Sequence, residues 1–190
     1  MRPSSHSAES PESSDTAPAL PHTALLVPVA VDVVALTIID ARLNVLLVDR
    51  ALAPFEGEAA LPGGFLLAGE QTMDAARREL AEETDYEAAS WHVLVDVYAS
   101  PGFTTEGGRS FLARGLRVLP EAARVRREAE EAEFVPTWFR FDDVVDAVLA
   151  GRLHNPSTVM GVLAADRARA RGWEGLRPVG ARWLRSPRSL

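Results

Sequence analysis

Glu79, Glu82 and Glu83 stand at i, i+3 and i+4 in a stretch whose apolar residues recur with helical spacing. A repeat of 3.6 residues per turn places all three carboxylates on one face. Like charges at i, i+4 destabilise an isolated helix by about 0.2–0.5 kcal/mol per pair. A chain that accepts this cost has a use for concentrated negative charge, and a divalent cation is the simplest one. Mg²⁺ and Mn²⁺ take oxygen ligands, and Mg²⁺ is typically held by one or two carboxylates together with substrate phosphates. The plain alternative is a solvated acidic helix face, which is the common fate of charge runs.

Spacing decides between the two. Gly64, Glu70, Arg78, Glu79, Glu82 and Glu83 fall at fixed intervals, with Leu80 as the apolar residue inside the run. Arg78 can pair with Glu70 and brace the preceding loop against the helix. Gly63 and Gly64 allow close approach of backbone, so that a carbonyl there could reach a cation. At ordinary residue frequencies six fixed positions coincide by chance on the order of 10⁻⁷ per starting point. Residues 64–86, GFLLAGEQTMDAARRELAEETDY, resemble the Nudix box. One position departs from it: Asp85 replaces a glycine at the helix C-terminus. A left-handed backbone is expected there, which Asp tolerates better than most residues.

The resemblance implies hydrolysis of a nucleoside diphosphate linked to another moiety, with water attacking phosphorus and metal ions neutralising the developing charge. It implies Glu79, Glu82 and Glu83 as metal ligands with the Gly63 carbonyl, Glu79 and Glu82 in the catalytic set, and Gly64, Glu70 and Arg78 as structural. The cofactor implied is Mg²⁺ or Mn²⁺. Residues 98–106, YASPGFTTE, resemble a loop of ADP-ribose pyrophosphatases, and Trp91 to Leu116 with the later run LHNPSTVMGVLAA resemble their actinobacterial branch. That likeness makes Pro101, Gly102, Phe103 and Glu106 candidate substrate contacts; alone, Pro101-Gly102 would be a plain turn. The run EAEEAE at 128–133 resembles the outer loop that supplies a general base in that subfamily. Glu131 is the first candidate, with Glu130 and Glu133 beside it. ADP-ribose, cleaved to AMP and ribose 5-phosphate, is the leading substrate. The alternatives are another nucleotide (a nucleoside triphosphate, a dinucleotide or NADH) and a non-catalytic sensor of ADP-ribose that controls transcription.

The elements that must position these groups are legible from pattern. Residues 25–39 and 43–48 read as a hairpin of buried strands around a turn at 40–42. Residues 60–66 contain Pro62-Gly63-Gly64 and form a short extended piece with a tight bend. A helix is expected over 72–84, capped by Thr72, with Met73, Ala76 and Leu80 as its apolar stripe. Strands follow at 91–99, 111–118 and 134–141, then helices at 142–150 and from Asn155-Pro156 to about 171. Strands and helices mix without regular alternation. The fold class is therefore α+β, and the resemblance makes it a Nudix-type α/β/α sandwich with a mixed sheet.

Residues 1–21 are rich in Ser, Pro and acidic side chains and read as a disordered tail. The catalytic domain is expected over 22–172, with an irregular Arg-rich tail over 173–190. The 190-residue chain has a net charge of −7, which argues against a nucleic-acid partner. It has no cysteine, which excludes disulfides and thiolate chemistry and is compatible with the cytoplasm. All 20 basic residues are arginine, which removes lysine Schiff-base chemistry. No run is long and apolar enough for a membrane span. The expected partner is a nucleotide-sugar type of small molecule, and a homodimer is compatible with the resemblance.

Overall fold

The computed structural model describes residues 28–49, 57–125 and 135–183. The proposed N-terminal tail at 1–21, the loop carrying Glu130, Glu131 and Glu133, and residues 184–190 lie outside the described residues.

Strand β1, Val29–Ile39, and strand β2, Arg42–Asp49, make the expected hairpin. Its turn uses Asp40 at φ 49 and Ala41 at φ 58. Two consecutive left-handed residues match the right-handed twist of the flanking strands. Two short strands follow, β3 at Ala59–Ala60 and β4 at Gly63–Phe65. Helix α1, Thr72–Thr84, leads directly into the long strand β5, Tyr86–Tyr98, and then β6, Gly107–Val118. Strand β7, Pro136–Arg140, passes straight into α2, Phe141–Leu149, and α3, Pro156–Ala170, completes the set.

Among the described residues the seven strands form one sheet in the order β3-β2-β1-β6-β5, with β4 also on β1 and β7 on β2. Strand β1 runs parallel to β6 and antiparallel to β2 and β4, so the sheet is mixed. Along β1 the side chains alternate. Val31, Val33 and Ala35 pack with Ala75, Ala76 and Leu80 of α1, whereas Val34 and Leu36 pack with Phe141 and Val144 of α2 and Val162 and Ala165 of α3. Both faces are covered, so β1 reads as a continuous apolar run instead of an alternating one. Each Leu or Val fully buried in this way contributes about 1.5–3 kcal/mol. The result is the α/β/α sandwich that the sequence implies.

Several boundaries differ from expectation. Thr72 is the first helical residue, not the cap; Gln71, extended at φ −86 and ψ 150, precedes it and makes no side-chain cap bond. The Gln71 carbonyl instead accepts from Asp74 and Ala75, closing the first turn through backbone alone. Strands β5 and β6 begin at Tyr86 and Gly107, ahead of the apolar runs that announced them. The start of β5 pairs with the end of β6, and the start of β6 with the end of β5 and with β1, so backbone bonding sets the strand where side-chain pattern is silent. Phe141 belongs to α2, where it is fully buried, and not to the strand before it. Asn155 caps α3 as expected, its side chain accepting from the Thr158 N–H at 3.0 Å. The Thr158 hydroxyl in turn accepts from the Leu61 N–H at 3.1 Å. This fastens the start of α3 to the segment leading into Pro62-Gly63-Gly64.

Candidate active site

Helix α1 lies against β4 with its acidic face towards the two glycines. Glu79 and Glu83 are 7% and 5% exposed, values that demand compensation for a carboxylate. Part of it comes from backbone: the Gly63 N–H donates to Glu83 Oε2 at 3.0 Å. Gly64 gives the other carboxylate its room. A methyl group on Gly64 would stand 2.4 Å from Glu79 Oε1. The glycine pair therefore brings backbone against both carboxylates at once.

Arg78 holds the loop as expected. Its Nε donates to Glu70 Oε1 at 2.9 Å and its Nη2 to Glu70 Oε2 at 3.1 Å. Glu70 also accepts from the Leu67 N–H at 2.9 Å, and Arg78 reaches the Phe65 carbonyl at 3.1 Å. Hydrogen bonding to Arg78, then to Leu67, holds the Glu70 carboxyl below its usual range. The same hydrogen bonding, that of Glu70 first, raises the Arg78 guanidinium. Arg78 does more than the spacing suggested: Nη1 also lies 2.8 Å from Glu79 Oε1 and 3.1 Å from Glu82 Oε2. One guanidinium is thus shared among three carboxylates.

Asp85 takes φ 59 and ψ 24 at the helix C-cap, the left-handed conformation expected where the family has glycine. Its N–H donates to the Ala81 carbonyl at 3.0 Å, which ends the helix and turns the chain into β5.

A further carboxylate joins the site from β1. In the sequence, Asp32 is only an interruption of an apolar run. In the fold it alternates with Val31 and Val33 and so faces α3, where it hydrogen bonds the Ser157 side chain. Its Oδ1 lies 3.2 Å from the point a Gly63 Cβ would occupy. Burial pushes the Asp32 carboxyl up to about 6, with the charges of Glu106 and Glu79 adding to the rise and Ser157 opposing it. The one available signal was its place: a lone charge at the centre of a strand whose neighbours are all apolar.

A pH-dependent stability follows. The proton of Asp32 is bound more tightly in the folded chain than at the unfolded value of 3.8. The ionised group therefore costs stability fully above pH 6, and the cost fades as pH falls towards 4. In metal-free buffer with EDTA, Asp32→Asn is expected to gain on the order of 1–2 kcal/mol at pH 8 and to lose most of that advantage by pH 4.5. Thermal melts of both proteins at the two pH values check it; an equal gap at both would show that ionisation is not the cause.

The proposed substrate residues occupy the loop between β5 and β6. Residues 100–104 form a turn in which the Phe103 and Thr104 N–H groups donate to the Ser100 carbonyl at 2.8 and 2.9 Å. Pro101, Gly102 and Phe103 stand out in solvent, Phe103 at 92% exposure. Glu106, half-buried, is the member of this group whose charge reaches Asp32. The structure thus places Glu106 within electrostatic reach of Asp32, and leaves Pro101, Gly102 and Phe103 in solvent.

The arrangement fits a divalent cation. Two nearly buried carboxylates stand on one helix face, and the absence of a side chain at Gly64 lets the Glu79 carboxylate lie directly against that backbone. Among the described residues no three His, Cys, Asp or Glu side chains are gathered into a group that would hold a metal ion by themselves. An open set suits a hard cation that takes one or two carboxylates and completes its shell with phosphate oxygens.

Fold and acidic face together define the class: the chain belongs to the NUDIX domain family, whose model matches residues 28–159. Nudix hydrolases generally use a divalent metal. The chain is 38% identical over 128 residues to the ADP-ribose pyrophosphatase of Mycobacterium tuberculosis (strain ATCC 25618 / H37Rv), covering 67% of this chain and 60% of that protein. It is 33% identical over 121 residues to the ADP-ribose pyrophosphatase of Bacillus subtilis (strain 168), covering 63% of each. The match therefore spans less than two thirds of the length of these relatives. Among solved structures, the NUDIX domain of Shewanella oneidensis NrtR complexed with ADP ribose superposes with a TM-score of 0.58 at 21% identity, covering 80% of this chain and 94% of that one. At that identity the likeness shows the fold. Among the described residues no helix is long and apolar enough to cross a membrane.

Proposed function

We propose that this chain hydrolyses the pyrophosphate of ADP-ribose to give AMP and ribose 5-phosphate, with Mg²⁺ or Mn²⁺ as cofactor. The observation that carries the reading is the pair Glu79 and Glu83, nearly buried on one face of α1 against Gly63 and Gly64. The likeness to two ADP-ribose pyrophosphatases supports the choice of substrate.

Glu79, Glu82 and Glu83, with the Gly63 carbonyl, would hold the cation. When bound, it supplies positive charge to the pyrophosphate oxygens, where charge develops on attack by water. Glu70, Arg78 and Gly64 keep the helix and its loop in register, so the carboxylates do not reorganise during reaction. Glu106 would face the substrate from the loop, with Pro101, Gly102 and Phe103 bordering the entrance. Glu131 takes the proton of the attacking water in this scheme. Glu131→Gln is expected to lower kcat by about 10²–10⁴-fold with little change in substrate binding, the range of general-base catalysis. Unchanged kinetics would transfer the role to Glu130 or Glu133. A cytoplasmic setting, resting on the cysteine-free sequence, belongs to the same proposal.

The test is incubation of the full chain with ADP-ribose and Mg²⁺, with products identified by chromatography. AMP and ribose 5-phosphate in equal amounts are expected. Absence of AMP while a triphosphate, a dinucleotide or NADH is turned over would move the substrate within the family. Tight binding of ADP-ribose without product would make the chain a sensor instead of an enzyme.

A further inference from the structure

The family match ends at residue 159, yet residues 172–183 pack onto the sheet. The Val93 N–H donates to the Arg177 carbonyl at 3.0 Å, so this segment pairs once with the outer edge of β5. A partly buried charge cluster fastens it. Asp96 on β5 receives Arg109 Nε at 2.6 Å, Arg109 Nη2 at 3.0 Å and Arg177 Nη1 at 2.7 Å. Burial pushes the Asp96 carboxyl up, but the hydrogen bonds of the two arginines outweigh it and hold it below its usual value. Arg109, 4% exposed, also donates through Nη1 to the Ala181 carbonyl at 3.0 Å.

The segment thereby delivers Trp183 to a defined place. Its ring lies 5.4 Å from the Arg109 guanidinium and 6.3 Å from the Tyr98 ring. A methyl on Gly107 would stand 2.8 Å from two Trp183 ring carbons, so the indole rests directly on that backbone. Tyr98 and Gly107 are partners in the β5–β6 register, the pair that closes the loop carrying Pro101, Gly102, Phe103 and Glu106. The Ala99 N–H donates to the Glu106 carbonyl at 3.1 Å immediately beyond them. One side chain from outside the matched region thus seats itself on both feet of the loop.

We propose that Trp183 is a positioning residue that braces the base of the 99–106 loop and so sets where Glu106 stands relative to substrate. The plain alternative is an aromatic cap that adds stability without influence on the loop. The two differ in locality. A brace acts on the loop and on substrate binding; a cap acts on the whole fold. The kinetic consequence rests on the hydrolase reading above, whereas the loop consequence does not.

The experiment compares the full chain with Trp183→Ala, Trp183→Phe and Gly107→Ala, the last of which displaces the indole from the opposite side. Amide hydrogen exchange is read over residues 99–107 and over α1. In Trp183→Ala and Gly107→Ala the loop amides are expected to exchange about tenfold faster, the factor that loss of one well-packed aromatic contact implies. The amides of α1 are expected to keep their wild-type rates. With ADP-ribose, KM is expected to rise by a similar factor while kcat stays within about twofold, and Trp183→Phe should recover most of both. Unchanged loop exchange in both disrupting variants overturns the proposal. So does acceleration that extends equally to α1, or an unmoved KM in variants whose loop has loosened. If the wild-type chain does not act on ADP-ribose, only the substrate reading falls, and hydrogen exchange still decides the brace.

Discussion

Glu83→Gln is expected to lower hydrolysis by roughly 10²–10³-fold or more, the loss typical of removing one preorganised electrostatic group from a reacting centre. The substitution deletes a charge and almost no volume. The amide oxygen of Gln can still accept from the Gly63 N–H, the contact that Glu83 Oε2 makes at 3.0 Å. The fold should therefore survive, and the circular dichroism spectrum and melting temperature should match wild type within a few degrees. The variant should also need far more Mg²⁺ for half-maximal rate. Near-normal activity at ordinary Mg²⁺ would remove Glu83 from the ligand set, and with it the reading of α1 as the cation-binding surface.

Gly64→Ala should also be damaging, for a steric reason. The added methyl would stand 2.4 Å from Glu79 Oε1 and 2.8 Å from its carboxyl carbon. Something must move. Either the Glu79 side chain leaves its place beside Arg78, or β4 withdraws from β1, to which Gly64 is paired opposite Val31. Overpacking of this kind costs about 1–3 kcal/mol. The more telling result is the split between stability and rate: a modest fall in melting temperature with a kcat reduced by at least about tenfold, since a misplaced ligand cannot be reoriented cheaply. A variant with full kcat would show that Glu79 tolerates displacement and is not held in its working position by this contact.

What was legible in the sequence followed from strict spacing. The helix from 72 to 84, the Glu70–Arg78 brace and the left-handed Asp85 could all be read because each depends on one local interval along the chain. The same holds for the hairpin at Asp40 and Ala41 and the Asn155 cap. The missed features depend on partners distant in sequence. The early residues of β6, Gly107, Gly108, Arg109 and Ser110, show no apolar pattern, because the parallel pairing with β1 and the ion pair to Asp96 hold them. Asp32 acquires meaning only when Gly63, Ser157 and Glu79 arrive from three other elements. Trp183 lies in an Arg-rich stretch without periodicity, and its role becomes visible only beside Gly107 and Tyr98. Thr72 is the instructive error in the other direction: a good capping residue was present, yet the chain entered the helix one position earlier through the Gln71 backbone.

The parallel pairing of β1 with β6 carries a consequence for how the molecule is made. Val29 finds Gly107 and Leu36 finds Arg114 across nearly the whole length of the intervening chain. A long loop must close before that contact yields any stabilisation, which slows the step. During synthesis β1 therefore leaves the ribosome with one edge unsatisfied and waits for β6 to emerge. Helix α1 is synthesised within that interval, and the negative charge of Glu79, Glu82 and Glu83 is then expected to help keep the incomplete chain apart from its neighbours.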